Sequence, residues 1–148
     1  MRGSDVLVVE DEPNLREFVA RVLADSGFSV RTAANGLHAL ELIDQARPDA
    51  VVLDLTLPGI DGFEVLERLR SDPANATVGV VVLSGRDDRE SVERSLRLGA
   101  NNYLLKPFSP WELAARLEAT MESLGLGRGR TAESDSCART TQDKRGPA

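Results

Sequence analysis

Short aliphatic runs alternate with segments of helical periodicity along residues 1–124, and this alternation restricts the fold more than any other feature of the chain. Unbroken runs of Val, Leu and Ala are typical of strands in a parallel sheet, because helices cover both faces of such a sheet. Five runs predict five strands, at residues 5–10, 28–33, 50–55, 78–84 and 102–106.

The segments between these runs predict helices. After the first run, apolar residues recur at i, i+3, i+4, i+7 and i+8, which predicts an amphipathic helix that ends at Gly27. Its apolar stripe consists of Leu15, Phe18, Val19, Val22 and Leu23. Four further helices are predicted at 36–46, 62–70, 88–98 and 110–124, and the last begins with the capping box Ser109, Pro110 and Glu112.

Alternating strands and helices predict an α/β domain with a parallel sheet and right-handed crossovers. Strands 1, 3 and 4 are the most aliphatic and are therefore expected at the centre. The second strand carries Ser29, Arg31 and Thr32 and suits an edge. A flavodoxin-like, doubly wound five-stranded sheet with strand order 2-1-3-4-5 and five helices satisfies these requirements.

Length and charge divide the chain into residues 1–124 and a polar tail, 125–148. The 148 residues, 41% of them hydrophobic, are enough for one domain. The tail has few apolar residues and is expected to be disordered. Its five basic and three acidic residues give the tail a net charge of +2. Because the formal net charge of the whole chain is −6, residues 1–124 carry −8.

Composition also bears on location and partners. An acidic domain argues against direct binding of a nucleic-acid backbone by this chain. The sequence has no apolar run long enough to span a membrane and no signal-peptide segment at its start, so a cytoplasmic protein is expected. The single cysteine, Cys137, lies in the tail and has no partner for an internal disulfide.

The stretch VLVVEDEP, residues 6–13, ends an apolar strand in three consecutive acids. One interpretation is a helix start, because acids favour the first helical turn and Pro13 suits the first helical position. The other is a functional site, because ligands of doubly wound sheets bind beyond the carboxyl ends of the strands. The other strand ends decide between them.

Polar side chains follow four of the predicted strands at this same edge. Strand 1 ends at Glu10 and Asp11, strand 3 at Asp54, strand 4 at Ser84 and strand 5 at Lys106. Lys106 is the only lysine of residues 1–124, which contain twelve arginines. Clustered carboxylates repel one another and require a counter-charge, and a hard cation such as Mg²⁺ prefers these ligands. With a metal bound, Asp54 becomes a candidate nucleophile toward a phosphoryl group, with Lys106 and Ser84 contacting the phosphoryl oxygens.

Four segments together resemble the receiver domain of two-component response regulators, across residues 4–124. They are VLVVEDEPNLREFV, VVLDLTLPGIDGFEVL, VVVLSGRDD and LGANNYLLKPFSPWEL. The acid pair, the aspartate before LTLPGIDG, the serine that ends the fourth strand and the KPF motif occur in the order and spacing of that family.

The resemblance implies a mechanism. Asp54 would accept a phosphoryl group from a sensor histidine kinase or phosphotransfer protein. Mg²⁺ would be held by Asp11, Asp54 and the backbone carbonyl of Thr56, with Glu10 acting through water. The chain would then catalyse only its own phosphorylation and dephosphorylation, and would not be an enzyme toward other substrates.

The resemblance also implies a switch. Ser84 would move toward the phosphoryl group and Tyr103 would turn inward behind it. Thr56 and Arg86 would tune the lifetime of the phosphoryl group, and the Lys106-Pro107 peptide would be cis.

Oligomerisation is where the sequence departs from the family pattern. Many DNA-binding members pair through acids before the tyrosine of the fifth strand and an arginine of the last helix. This chain has Arg116, but Asn101 and Asn102 occupy the acid positions. A monomer or weak dimer is therefore expected.

Three other classes of protein are less consistent with the residues. A haloacid-dehalogenase-type enzyme would require an acid at Thr56, and a flavin binder would require a Ser/Thr-rich loop where this chain has acids. A receiver-like interaction module that takes no phosphate conflicts with the complete set of acids, hydroxyl and lysine. The chain could also be the receiver fragment of a DNA-binding regulator, and its output partner is not evident from the sequence.

Overall fold

Five parallel strands and five α-helices alternate along residues 4–125, the part of the chain that this computed structural model describes. The strands are β1 (Asp5–Val9), β2 (Ser29–Ala33), β3 (Ala50–Asp54), β4 (Gly79–Ser84) and β5 (Asn102–Leu105). The helices are α1 (Pro13–Asp25), α2 (Gly36–Gln45), α3 (Gly62–Ser71), α4 (Arg89–Arg97) and α5 (Pro110–Ser123), with a short 3-10 turn at Pro73–Asn75.

The sheet has the predicted order, β2-β1-β3-β4-β5, and all its neighbouring strands are parallel. The more polar β2 is an edge strand, whereas every residue of β3 and β4 is buried. Alternate residues of the central strands therefore face two apolar clusters. The cluster beneath α2 and α3 includes Leu7, Val51, Val80, Ile43 and Leu66. The cluster beneath α1 and α5 includes Val8, Val52, Val81, Leu23 and Leu117.

Sheet pairing continues for one residue beyond three of the strands. After β3, the Leu55 N–H donates to the Leu83 carbonyl over 3.3 Å, and the other two cases are residues of the predicted site. The Glu10 N–H donates to the Ala33 carbonyl over 3.1 Å, and the Lys106 N–H donates to the Ser84 carbonyl over 2.9 Å. The predicted strands end one residue too late at these places, but the backbone of both residues is still held by the sheet. Their side chains therefore start from fixed positions at its carboxyl edge.

The apolar stripe of α1 is only partly buried, which corrects the simplest interpretation of its periodicity. Val19 and Leu23 are buried against the sheet, whereas Phe18 is 41% exposed. The stripe is wider than the contact with the sheet, and its outer edge faces a groove toward α5. The helix ends as predicted, since Gly27 adopts φ 99° just after the C-cap.

Within residues 4–125, every helix is too short or too polar to cross a membrane. Residues 126–148, which make up nearly all of the tail that is expected to be disordered, lie outside the described part of the chain.

Candidate functional site

Three carboxylates meet at the carboxyl edge of the sheet. Glu10, Asp11 and Asp54 each offer an oxygen, and these oxygens lie within 4.8 Å of one another. The neighbouring strands β1 and β3 bring them together, with Val9 paired to Leu53. Glu10 and Asp54 are 1% and 3% exposed, whereas Asp11 is open to solvent. An oxygen-rich cluster with one open side fits a hard metal ion such as Mg²⁺.

Lys106 supplies the counter-charge to this cluster. Its Nζ lies 3.3 Å from Glu10 Oε1 and 3.3 Å from Asp54 Oδ2. The peptide between Lys106 and Pro107 is cis, as predicted. The ammonium thus contacts the two buried carboxylates of the cluster.

Glu10 has an unusual protonation equilibrium. Its pKa is raised to about 7, first by burial and next by the negative charge of Asp54, while the Glu12 N–H and Lys106 act in the opposite direction. One ammonium therefore does not fully offset the clustered acids. A proton on Glu10 or a bound metal ion is required to neutralise the remaining negative charge of the cluster.

The third acid of the run, Glu12, lies outside the carboxylate cluster and caps a helix. Glu12 is the N-cap of α1, where its carboxylate accepts the N–H groups of Leu15 at 2.7 Å and Asn14 at 3.3 Å. The helix-start interpretation of the acidic run is therefore correct for Glu12, whereas Glu10 and Asp11 meet Asp54 in the carboxylate cluster. Glu12 starts the helix, and its two predecessors contribute to the site.

The loop after β3 is shaped by close backbone contacts. The Thr56 N–H donates to Asp54 Oδ1 over 3.2 Å, and the Gly62 N–H donates to the Leu55 carbonyl over 2.9 Å. A Cβ at Gly62 would lie 2.5 Å from the Asp54 carbonyl oxygen. Gly62 was not among the residues predicted from the sequence. The Asp-Gly pair at the start of α3, where Asp61 is the N-cap, is nevertheless a recognisable signal of a helix start.

The two predicted switch residues both bind the backbone of Arg86, in the loop between β4 and α4. The buried Ser84 Oγ accepts the Arg86 N–H at 3.0 Å. The Tyr103 hydroxyl donates to the Arg86 carbonyl over 2.9 Å. A change at either side chain must therefore affect the same loop residue.

An aromatic ring next to this loop was missed by the sequence analysis. The guanidinium carbons of Arg94 and Arg86 lie 4.1 Å and 5.7 Å from the centroid of the Phe63 ring. Both distances are in the range of cation–π contacts. No sequence signal relates a residue of α3 to one of α4, since nothing in the chain fixes their distance before folding.

An apolar groove borders the site on the α1 side. It measures about 350 Å³ and is lined by Leu15, Phe18, Lys106, Pro107 and Phe108. A second groove continues from Phe18 to Trp111, which is 77% exposed. The exposed aromatic surface therefore begins at the lysine of the carboxylate cluster.

Comparisons with known proteins agree with this architecture. The response regulator receiver domain family matches residues 6–118, which include the carboxylate cluster and all five strands except the first residue of β1. The chain belongs to this family.

Several relatives in this family are transcriptional regulators by name. The chain is 46% identical over 117 residues to the transcriptional regulatory protein TcrA of Mycobacterium tuberculosis, covering 79% of this chain and 46% of TcrA. It is 40% identical to the DNA-binding response regulator MtrA of Mycolicibacterium smegmatis, covering 78% and 50% of the two chains. It is 35% identical to the phosphate regulon transcriptional regulatory protein PhoB of Pseudomonas aeruginosa, covering 86% and 56%. The chain thus spans about half the length of these relatives.

Solved structures of similar proteins have the same fold over nearly their whole length. The receiver domain of the Francisella response regulator 1452 aligns with a TM-score of 0.76 at 31% identity, covering 82% of this chain and 98% of that one. The Vibrio cholerae chemotaxis protein CheY4 aligns with a TM-score of 0.77 at 30% identity, covering 80% and 98%.

Proposed function

We propose that Asp54 accepts a phosphoryl group from a phosphohistidine of a sensor histidine kinase or phosphotransfer protein, in a Mg²⁺-dependent reaction that switches a partner-binding face. The observation that carries this proposal is the meeting of Glu10, Asp11, Asp54 and Lys106 at one sheet edge. The proposed location is the cytoplasm, where ATP-dependent kinases form phosphohistidine.

The donor set fits the metal. Asp11, Asp54 and the backbone carbonyl of Thr56 would hold Mg²⁺, and Glu10 would reach it through water. When bound, Mg²⁺ supplies positive charge that stabilises the phosphoryl oxygens in the transition state.

The chain's own residues supply the rest of the reaction. An Asp54 carboxylate oxygen attacks phosphorus, the phosphorus–nitrogen bond of phosphohistidine breaks, and the electron pair returns to the imidazole. Lys106, already beside Asp54 Oδ2, offsets charge on the phosphoryl group. The Ser84 hydroxyl donates a hydrogen bond to one of its oxygens.

Loss of the phosphoryl group requires water to reach phosphorus. Thr56 and Arg86 flank this approach and are assigned to setting the lifetime of the acyl phosphate. Chemistry is confined to the chain's own aspartate, so the protein is not an enzyme toward a separate substrate.

The groove of Leu15, Phe18, Pro107 and Phe108 is assigned to the phosphodonor protein. A donor histidine must come within bonding distance of Asp54, so the donor must cover the surface around the site. Lys106 lines both the groove and the carboxylate cluster, so a helix seated in the groove would lie beside the site. Burial of the exposed Phe18 and Pro107 and of the half-buried Leu15 and Phe108 would favour the encounter.

The test is mass spectrometry of the purified chain after incubation with acetyl phosphate. We expect one hydrolytically labile phosphoryl group with Mg²⁺ and none with chelator. Asp54→Asn should abolish incorporation, whereas Asp44→Asn, which changes an exposed acid of α2, should not. Equal incorporation in Asp54→Asn, or incorporation indifferent to Mg²⁺, contradicts the proposal, and a wild-type chain that takes up no phosphoryl group favours a receiver-like module that takes no phosphate.

A second proposal concerns the output. The names of TcrA, MtrA and PhoB describe transcriptional or DNA-binding regulators, and this chain matches about half of each. These relatives support a role as the receiver part of a transcriptional regulator, with the output partner still to be identified. Transcript profiling of strains that carry wild-type or Asp54→Asn protein tests this role, and unchanged transcripts would count against it.

A further inference from the structure

The Phe63 ring is shared by two cationic side chains from different segments. Arg94, on α4, is the closer at 4.1 Å, and Arg86, in the preceding loop, lies at 5.7 Å. Asp88 and Glu90 line the same recess of about 360 Å³ and reduce the repulsion between the two guanidinium groups. One ring of α3 therefore contacts both the loop after β4 and the helix that follows it.

This contact matters because α4 has little apolar anchorage. The fully buried residues of α4 are two serines, Ser91 and Ser95, and its leucine at position 96 is 46% exposed. Helices are normally held by an apolar face, so polar contacts must hold a larger share of α4 in place. At its carboxyl end, Arg70 of α3 donates to the Gly99 carbonyl over 2.9 Å. The contact of Arg94 with the Phe63 ring is the second of these polar contacts.

Phe63 itself is fixed relative to the phosphoacceptor. The ring is 3% exposed, and its neighbour Gly62 packs against the backbone of Asp54 and Leu55 so closely that a Cβ would overlap both. The backbone that carries the ring is therefore packed, through Gly62, against the backbone that carries Asp54. Phe63 thus links the position of α4 to the backbone of the phosphoacceptor.

The loop between β4 and α4 begins directly after Ser84, at the carboxyl end of the strand that pairs with β3 and Asp54. Its Arg86 peptide groups are bound by Ser84 and Tyr103, and the Arg86 side chain lies over Phe63. We infer that Arg94 and Phe63 are positioning residues that hold α4 and, through it, the Arg86 loop at the carboxyl edge of the sheet, and thereby prolong the life of the phosphoryl group. This inference rests on the proposed function for its effect on phosphoryl lifetime, but not for its effect on α4.

The first test measures hydrogen exchange of the unphosphorylated protein. Arg94→Met keeps the aliphatic stem and removes the charge. It should speed exchange of the α4 amides by about two- to fivefold, the range expected for an exposed cation–π contact. Arg97→Met is the matched control, because Arg97 is an exposed arginine of the same helix. Equal acceleration in both variants overturns the assignment.

The second test measures the decay of phospho-Asp54 after removal of acetyl phosphate. Arg94→Met and Phe63→Leu should each shorten the half-life by about two- to fivefold, since a looser loop admits water. The double variant should decay no faster than Phe63→Leu alone, because the ring acts through the same contact. Phe63→Tyr, which keeps an aromatic face, should restore the wild-type half-life and slow α4 exchange.

The outcomes distinguish failure of the proposed function from failure of the positioning role. If the wild-type chain takes no phosphoryl group, the proposed function is wrong, and the exchange experiment alone decides whether Arg94 holds α4. If phosphorylation occurs but the two single effects multiply, or Phe63→Tyr decays like Phe63→Leu, the positioning role is wrong and the proposed function stands.

Discussion

Lys106 Nζ lies 3.3 Å from Glu10 Oε1, although 96 residues separate them in the sequence and two strands, β3 and β4, lie between their own strands in the sheet. The contact crosses the carboxyl edge of the sheet and passes beside Asp54. It joins the most buried acid of the cluster to the single lysine of the domain, and the balance of charge among these groups leads to the first prediction.

The stability of the metal-free protein should fall as the pH rises from about 4.5 to above 7. The folded-state pKa of Glu10 is raised from 4.5 to about 7, so the folded state binds the proton more tightly than the unfolded chain in this window. The stabilisation is fully present below 4.5 and is lost as the pH rises through 7, by on the order of a few kcal/mol. Chemical unfolding in chelator at pH 5 and pH 8 measures it.

Glu10→Gln is the matched variant for this prediction, because it keeps the shape and removes the titration. Its free energy of unfolding should change little between the two pH values. Asp88, whose pKa is lowered by the Ser91 N–H, titrates below this window and does not obscure the result. An equal loss of stability in the wild type and Glu10→Gln would assign the effect to another group.

Lys106→Ala should destabilise the metal-free protein by about 1 to 3 kcal/mol, because two buried carboxylates lose their charged partner. Mg²⁺ should recover much of this loss. Phosphorylation should remain possible, but the change in fluorescence of Trp111, the only tryptophan, should be smaller on phosphorylation. Arg47→Ala, which removes an exposed loop cation, should leave the stability and the fluorescence change at their wild-type values.

The sequence predicted the order of the strands and the edge of the sheet at which the site forms. Unbroken hydrophobic runs indicate strands that are buried on both faces of the sheet, and the more polar residues of β2 indicate an edge strand. The acids, Ser84 and Lys106 could be assigned to the carboxyl edge because parallel strands end together.

The sequence did not predict the contacts that depend on how the helices pack. The Phe63–Arg94 contact depends on the distance between two helices, and the exposure of Phe18 depends on how far α5 covers α1. Both are results of tertiary packing, which periodicity does not encode. Gly62 is a similar case, because the crowding appears only when α3 lies against the backbone of β3.

Gly62→Ala should destabilise the protein by about 1 to 3 kcal/mol, as overpacking does when the neighbour is backbone. The added Cβ would lie 2.5 Å from both the Asp54 carbonyl oxygen and the Leu55 Cα, so the phosphoacceptor backbone must move and phosphorylation should slow. Gly85→Ala is the control, because a Cβ there meets nothing within 4 Å and should change stability by no more than about 0.5 kcal/mol. Thermal unfolding of the two variants compares them directly, and equal losses would show that crowding at Gly62 is relieved cheaply.

The last prediction concerns dimerisation and rests on two asparagines beside β5. Arg116 of α5 donates to Asn102 Oδ1 and to the Tyr103 carbonyl, each over 3.0 Å. Asn101 Oδ1 accepts the Val80 N–H at 2.8 Å. These groups are engaged within the chain, and the asparagines carry no charge to attract a second copy.

We therefore expect the phosphorylated protein to stay mostly monomeric at micromolar concentration. Exposed ion pairs are worth about 0.2 to 1 kcal/mol each, and a twofold axis doubles each one. Losing two per protomer amounts to a few kcal/mol, or about one to three decades of dimer affinity. Sedimentation velocity in acetyl phosphate and Mg²⁺ measures this, with the double variant Asn101→Asp, Asn102→Asp as the matched comparison that should associate more tightly. A tight wild-type dimer would show that apolar contacts, such as those of the exposed Leu96 and Leu105, hold the chains together without these charges.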